Sequence, residues 1–151
     1  MSVSLIIGPM FSGKSTELFR RIRREQYAGK RTIIYKYVKD MRYTTRQDLA
    51  CSHDGVSQEA VPVSTLEPFI DNLPDVDVIG IDEGQFIACL EQFCQTAANA
   101  GITVIIAALD SNYKRESFQN VTNLVGVSEH IRKLHSVCIM CGKKAAFTRK
   151  L

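Results

Sequence analysis

At 151 residues the chain has the length of one ordinary domain, and 45% hydrophobic with 23% charged residues is the balance of a soluble globular protein with enough apolar material for a buried sheet. The net charge of +3 suits an anionic ligand, but the sequence holds no run of five like charges that would serve as a nucleic-acid arm. No apolar stretch approaches the roughly 20 residues of a membrane span, and MSVSLIIGPM has neither the basic start nor the long apolar run of a signal peptide; the five cysteines are therefore expected in reducing, cytoplasmic surroundings, as thiols or metal ligands rather than disulfides.

The first apolar run, Val3 to Ile7, is rich in branched residues and too short for a helix, so it predicts a strand. Residues 8 to 15 follow as GPMFSGKS and match G-x-x-x-x-G-K-[ST] in full at Gly8, Gly13, Lys14 and Ser15. Each residue type has a task there. Glycine supplies unusual dihedrals and lets a phosphate approach the backbone amides. Lys14 is expected to neutralise the β and γ phosphates and Ser15 to offer its hydroxyl to Mg²⁺. The segment Ser15 to Tyr27 sets Leu18, Phe19 and Ile22 on one stripe with arginines opposite, which predicts a helix stopped at Gly29 and aimed with its positive end at the anion.

Thr32 to Val38 reads as a second buried strand, and Lys39 to Gln58, polar and without a period, as a long loop. Val76 to Ile81 predicts a third strand that ends on adjacent acids, Asp82 and Glu83. An aspartate closing a buried strand is the second element of a P-loop site, and neighbours at a strand end point different ways. Asp82 is accordingly expected to face Mg²⁺ through water, and Glu83 to act as the general base. A helix over Phe86 to Ala100, a strand over Ile102 to Leu109 and a more polar strand over Ile131 to Val137, nearer an edge, complete the alternation. The fold expected is α/β: a P-loop domain over residues 1–137 with a mostly parallel sheet flanked by helices.

GPMFSGKSTEL, KYVKDMRY, GIDEGQF, AALD and VCIMC occur in the order found in the thymidine kinases of the cellular and poxviral type, and the chain resembles that family over nearly its whole length. The resemblance implies a RecA-like domain and transfer of the γ-phosphate of ATP, with Mg²⁺, to the 5′-hydroxyl of thymidine, giving dTMP for DNA-precursor salvage. Thymidine would be the small-molecule partner, with no nucleic acid and no membrane, in a cytoplasmic homotetramer with a structural Zn²⁺. By matching motif, the ATP site comprises Gly8, Pro9, Met10, Phe11, Ser12, Gly13, Lys14, Ser15, Asp40, Met41, Arg42, Asp82, Glu83, Gly84 and Gln85; Arg42 would stabilise transition-state charge. The nucleoside would meet Met10, Phe86, Leu109 and Tyr113. At Tyr113 the family more often has phenylalanine, and Ile87 replaces a common aromatic, so the fit around the base is expected to differ.

Cys138 and Cys141 form C-x-x-C, half of a tetrahedral Zn²⁺ site, and residues 138–151 read as the start of a small zinc-binding segment. Cys51, Cys89 and Cys94 read as plain thiols. No Cys, His, Asp or Glu follows Cys141. In the family a further segment supplies the remaining ligands and closes over the base, so the C-terminal end is expected to be lacking and the chain to bind ATP while phosphorylating thymidine poorly or not at all. A second reading follows, a non-catalytic ATP-binding module that assembles with a full-length relative, and a third is a general P-loop ATPase.

Overall fold

Side-chain alternation along the apolar runs decides the architecture. In a computed structural model that describes residues 2–39, 49–52, 55 and 57–150, the order of elements is β1 (Ser2–Gly8), α1 (Lys14–Tyr27), β2 (Thr32–Tyr37), β3 (Leu49–Cys51), β4 (Ser57–Glu59), β5 (Val61–Val63), β6 (Val78–Asp82), α2 (Leu90–Asn99), β7 (Thr103–Leu109), α3 (Gln119–Val125), β8 (His130–Lys133), β9 (Ser136–Val137) and β10 (Lys144–Ala145). Six strands form one sheet in the order β5-β2-β6-β7-β1-β8, with every pairing parallel.

Successive residues of a strand face opposite sides. Leu5, Ile79, Ile81, Val104 and Ile106 therefore pack with Leu90, Phe93 and Ala97 of α2 and with Val121 and Leu124 of α3. Their neighbours Ile6, Val78, Ile105 and Ala107 pack on the other face with Leu18, Phe19 and Ile22 of α1. The two-sided burial explains why these strands read as continuous apolar runs. Gly80 has a packing reason: a Cβ there would lie 3.1 Å from Ile22 Cδ1, so glycine lets α1 settle close on the sheet.

Strand order also positions the site. β7 lies between β1 and β6, pairing Gly8 with Leu109 and Ile81 with Ile106, so β1, β7 and β6 end along one edge of the sheet. The loops that leave those ends carry the motifs, at the position where open α/β sheets bind ligands.

The α/β class is as the sequence implies, but several spans differ. The run over Ile131 to Val137 is not one strand. β8 ends at Lys133, Leu134 N–H donates to Ile7 C=O at 2.8 Å, and the chain then turns into the separate β9–β10 hairpin. The helix expected from Phe86 begins only at Leu90, because Glu83 and Cys89 hold left-handed φ values of 54° and 59° around a 3₁₀ turn at Gly84–Phe86. β3 lies within the span read as a long loop and pairs antiparallel with β4, which begins there and ends at Glu59. β5 and α3, three and seven residues long, were not expected; segments that short carry too few periods to register.

Candidate active site

The phosphate loop is held by its own polar groups. Lys14 is nearly buried, and its Nζ donates to Pro9 C=O at 2.7 Å and approaches Ser12 Oγ at 3.4 Å. Ser12 Oγ donates to the same carbonyl at 2.7 Å. Gly13 sits at φ 82°, the left-handed region where glycine carries no Cβ penalty, and opens α1. Phe11 is also left-handed, at φ 60°, with an exposed ring. A Cβ on Gly8 would meet Leu134 C=O at 2.6 Å, so the loop leaves β1 pressed against the chain that follows β8.

Across β7, the end of β6 reaches the same place. Ser15 Oγ donates to Asp82 Oδ1 at 2.8 Å, joining residues 67 positions apart. A hydroxyl beside a buried carboxylate is an oxygen donor set suited to a hard divalent cation. Glu83 turns away from Asp82 through its left-handed backbone. Gln85 then spans the gap to β7: its Nε2 donates to Glu83 Oε2 at 2.5 Å, and its Oε1 accepts from Leu109 N–H at 2.9 Å. Asn120 of α3 places Nδ2 3.1–3.3 Å from the carbonyls of Gly84, Gln85 and Ile87, clamping this turn from outside.

Beside the acids stands an aromatic wall. The half-exposed Phe86 ring lies 5.2 Å from Tyr37 and 5.9 Å, edge-on, from Phe118. Tyr113 is also half exposed, with the ammonium groups of Lys150 and Lys114 at 5.5 and 5.9 Å from its ring. Ile87, by contrast, is 1% exposed and packs in the core, so its side chain does not line the open site.

Cys138 and Cys141 come together at the tip of the hairpin, where Cys138 N–H donates to Lys143 C=O and Gly142 N–H to Cys138 C=O, each at 2.8 Å. Backbone N–H groups of Met140 and Cys141, then the Cys141 thiol, hold the Cys138 thiol below its ordinary pKa, a setting that favours thiolate and metal ligation. The pair supplies two donors; among the described residues no group of three or more His, Cys, Asp or Glu side chains is placed to hold a metal. Cys94 differs, since burial in the core pushes its thiol far up.

The structure thus brings together Gly8, Pro9, Met10, Ser12, Gly13, Lys14 and Ser15 with Asp82, Glu83, Gly84, Gln85 and Leu109. Asp40, Met41 and Arg42 lie outside the described residues. Sequence reasoning missed Asn120, Phe118, Tyr37 and Lys36. Lys36 is fully buried, stands opposite Asp82 in the β2–β6 register and donates from Nζ to Leu49 C=O. A charge inside an apolar run was the only signal of it.

A family model described as thymidine kinase matches residues 1–151. The chain belongs to the thymidine kinase family. It is 46% identical over 149 residues to "Thymidine kinase, cytosolic" of Bos taurus, an alignment covering 99% of this chain and 61% of the bovine protein. It is 46% identical over 149 residues to the thymidine kinase of Vaccinia virus (strain Western Reserve), covering 99% of this chain and 82% of the viral one. The chain spans 61–66% of the length of the cellular thymidine kinases it matches. Among solved structures, a DNA replication initiation factor superposes with a TM-score of 0.52 at 16% identity, covering 88% of this chain and 40% of that one, which speaks for the fold alone. Among the described residues of this thymidine kinase family member, no helix is long and apolar enough to cross a membrane.

Proposed function

We propose that this chain is a nucleoside kinase that transfers the γ-phosphate of ATP to the 5′-hydroxyl of thymidine, giving ADP and dTMP. The observation that carries the proposal is the contact of Ser15 with Asp82, beside a Glu83 carboxylate held by Gln85. Gly8 to Ser15 would cradle the ATP phosphates with backbone amides, while Lys14 balances charge on the β and γ groups. Ser15 and Asp82 would hold Mg²⁺, whose contribution when bound is to neutralise charge on the phosphate oxygens. Glu83 takes the proton from the thymidine 5′-hydroxyl as that oxygen bonds to the γ-phosphorus and the bridge to ADP breaks. Gln85 restrains Glu83, and Asn120 restrains the turn that carries both. Met10, Phe86, Leu109 and Tyr113 would meet the thymine ring, with Phe118 and Tyr37 packed against Phe86. Asp40, Met41 and Arg42 belong to the ATP side of the same proposal by motif.

Zn²⁺ would take two thiolates from Cys138 and Cys141 and needs two further donors from outside the described residues. The protein would act in the cytoplasm as a homotetramer, as the resemblance implies. The test is transfer of labelled γ-phosphate to thymidine, with binding of a non-hydrolysable ATP analogue measured alongside. Transfer that requires thymidine supports the kinase. Nucleotide binding without transfer would oppose it and favour the non-catalytic module, and ATP turnover without any nucleoside would favour the general ATPase.

A further inference from the structure

The β9–β10 hairpin does more than present Cys138 and Cys141; the segments on either side of its tip grip one residue of the phosphate loop. Met10 N–H donates to Thr148 Oγ1 at 3.0 Å, and Met10 C=O accepts from Ser136 Oγ. Ser136 is paired with Ala145 inside the hairpin, and Leu134, two residues earlier, donates its N–H to Ile7 C=O. These contacts fix two consecutive peptide planes. In the Pro9–Met10 peptide the carbonyl accepts from Lys14 Nζ and Ser12 Oγ, and the N–H is taken by Thr148. In the Met10–Phe11 peptide Ser136 holds the carbonyl, which sets the direction of the Phe11 N–H at the crown of the loop. Phe11 needs such support, because a non-glycine residue at φ 60° is held in a sparsely populated region that surrounding contacts must maintain.

We infer that Ser136 and Thr148 are positioning residues that hold the phosphate loop in its anion-ready shape and couple it to the cysteine hairpin. The inference rests on the phosphate-loop part of the function proposed above and extends it to residues that no motif marks. Coupling between two sites is reciprocal. A phosphate ligand that orders the loop must order the hairpin, and loss of the two hydroxyls must weaken the ligand.

The experiment uses the whole chain with Mg²⁺ and a non-hydrolysable ATP analogue, in wild type, Ser136→Ala, Thr148→Val, the double variant, Thr148→Ser as the conservative exchange and Ile139→Ser at the exposed hairpin tip as control. Calorimetry gives the Kd, and amide hydrogen exchange over residues 136–145 gives hairpin order with and without nucleotide. Expected are a rise in Kd of about tenfold in the double variant, near-wild-type binding in Thr148→Ser and Ile139→Ser, and nucleotide-dependent protection of the hairpin that disappears in the double variant. A purely structural role would lower the melting temperature yet leave Kd and protection as in wild type, and that result overturns the inference. Wild type that binds no nucleotide would instead sink the reading of the phosphate loop, and this inference with it.

Discussion

The two sides of the site are built by different means. On the proposed phosphate side, Lys14, Asp82, Glu83 and Gln85 are all buried and tied by hydrogen bonds of 2.5–2.9 Å, so the charges stand in fixed places before any ligand arrives. On the proposed nucleoside side, Phe86 and Tyr113 are half exposed, and the Phe86 ring is set by contacts with Tyr37 and Phe118. Phosphate chemistry needs prepositioned charge, whereas a flat base needs apolar faces that adapt. Substitutions on the first side should therefore act on nucleotide affinity and turnover, and substitutions on the second on thymidine alone.

Apart from Glu83, the proposed general base, the largest effect is expected at Lys14. Lys14→Ala removes the buried cation of the loop, and calorimetry should show MgATP binding weakened by about 100-fold, as for the loss of more than one charge-assisted hydrogen bond. Gly84→Ala comes next and probes the turn shared by both sides. Its new Cβ would lie 2.9 Å from Ile106 Cγ2 in the core, so thermal unfolding should show a loss of about 1–3 kcal/mol. Phe86→Ala separates the sides: KM for thymidine should rise about tenfold while MgATP affinity stays constant, because the ring is a wall and not a phosphate ligand. Equal loss of both affinities would break the division.

The smallest effect lies behind the phosphate loop, in α1. Hydrogen bonding to Arg20, with help from Arg21, lowers the Glu17 carboxyl from its ordinary 4.5 to about 2. A depressed folded-state value means the stabilisation is complete above pH 4.5 and fades as the pH falls towards 2. Both arginines are partly exposed, at 50% and 24%, so the effect should amount to about 1 kcal/mol or less. Melting curves of wild type and Glu17→Gln should differ slightly at neutral pH and converge through that acid window; a gap that widens as the pH falls would contradict the assignment.

What the sequence made legible follows the same division. Gly8 to Ser15, Asp82 and Glu83 lie at strand ends and in a spaced motif, so the candidate site they form could be picked out from local pattern. The inner strands β1, β2, β6 and β7 were legible because burial on both faces writes an unbroken apolar run. Asn120, Ser136 and Thr148 were not, since each is a small polar residue whose role depends on a partner far away; Thr148 meets Met10 across 138 positions. Phe118 carries no period of its own and gains meaning only through its contact with Phe86. The left-handed backbone at Glu83 and Cys89 was likewise hidden, because neither residue type advertises that conformation.

The most direct measurement is γ-phosphate transfer to thymidine by the wild-type chain and by Glu83→Gln, with nucleotide binding followed in both. Transfer by wild type, a fall of about 10²–10⁴-fold in kcat for Glu83→Gln and similar MgATP affinity in the two proteins are the expected results. Undiminished transfer in Glu83→Gln, or nucleotide bound by wild type with no transfer at all, would contradict the account.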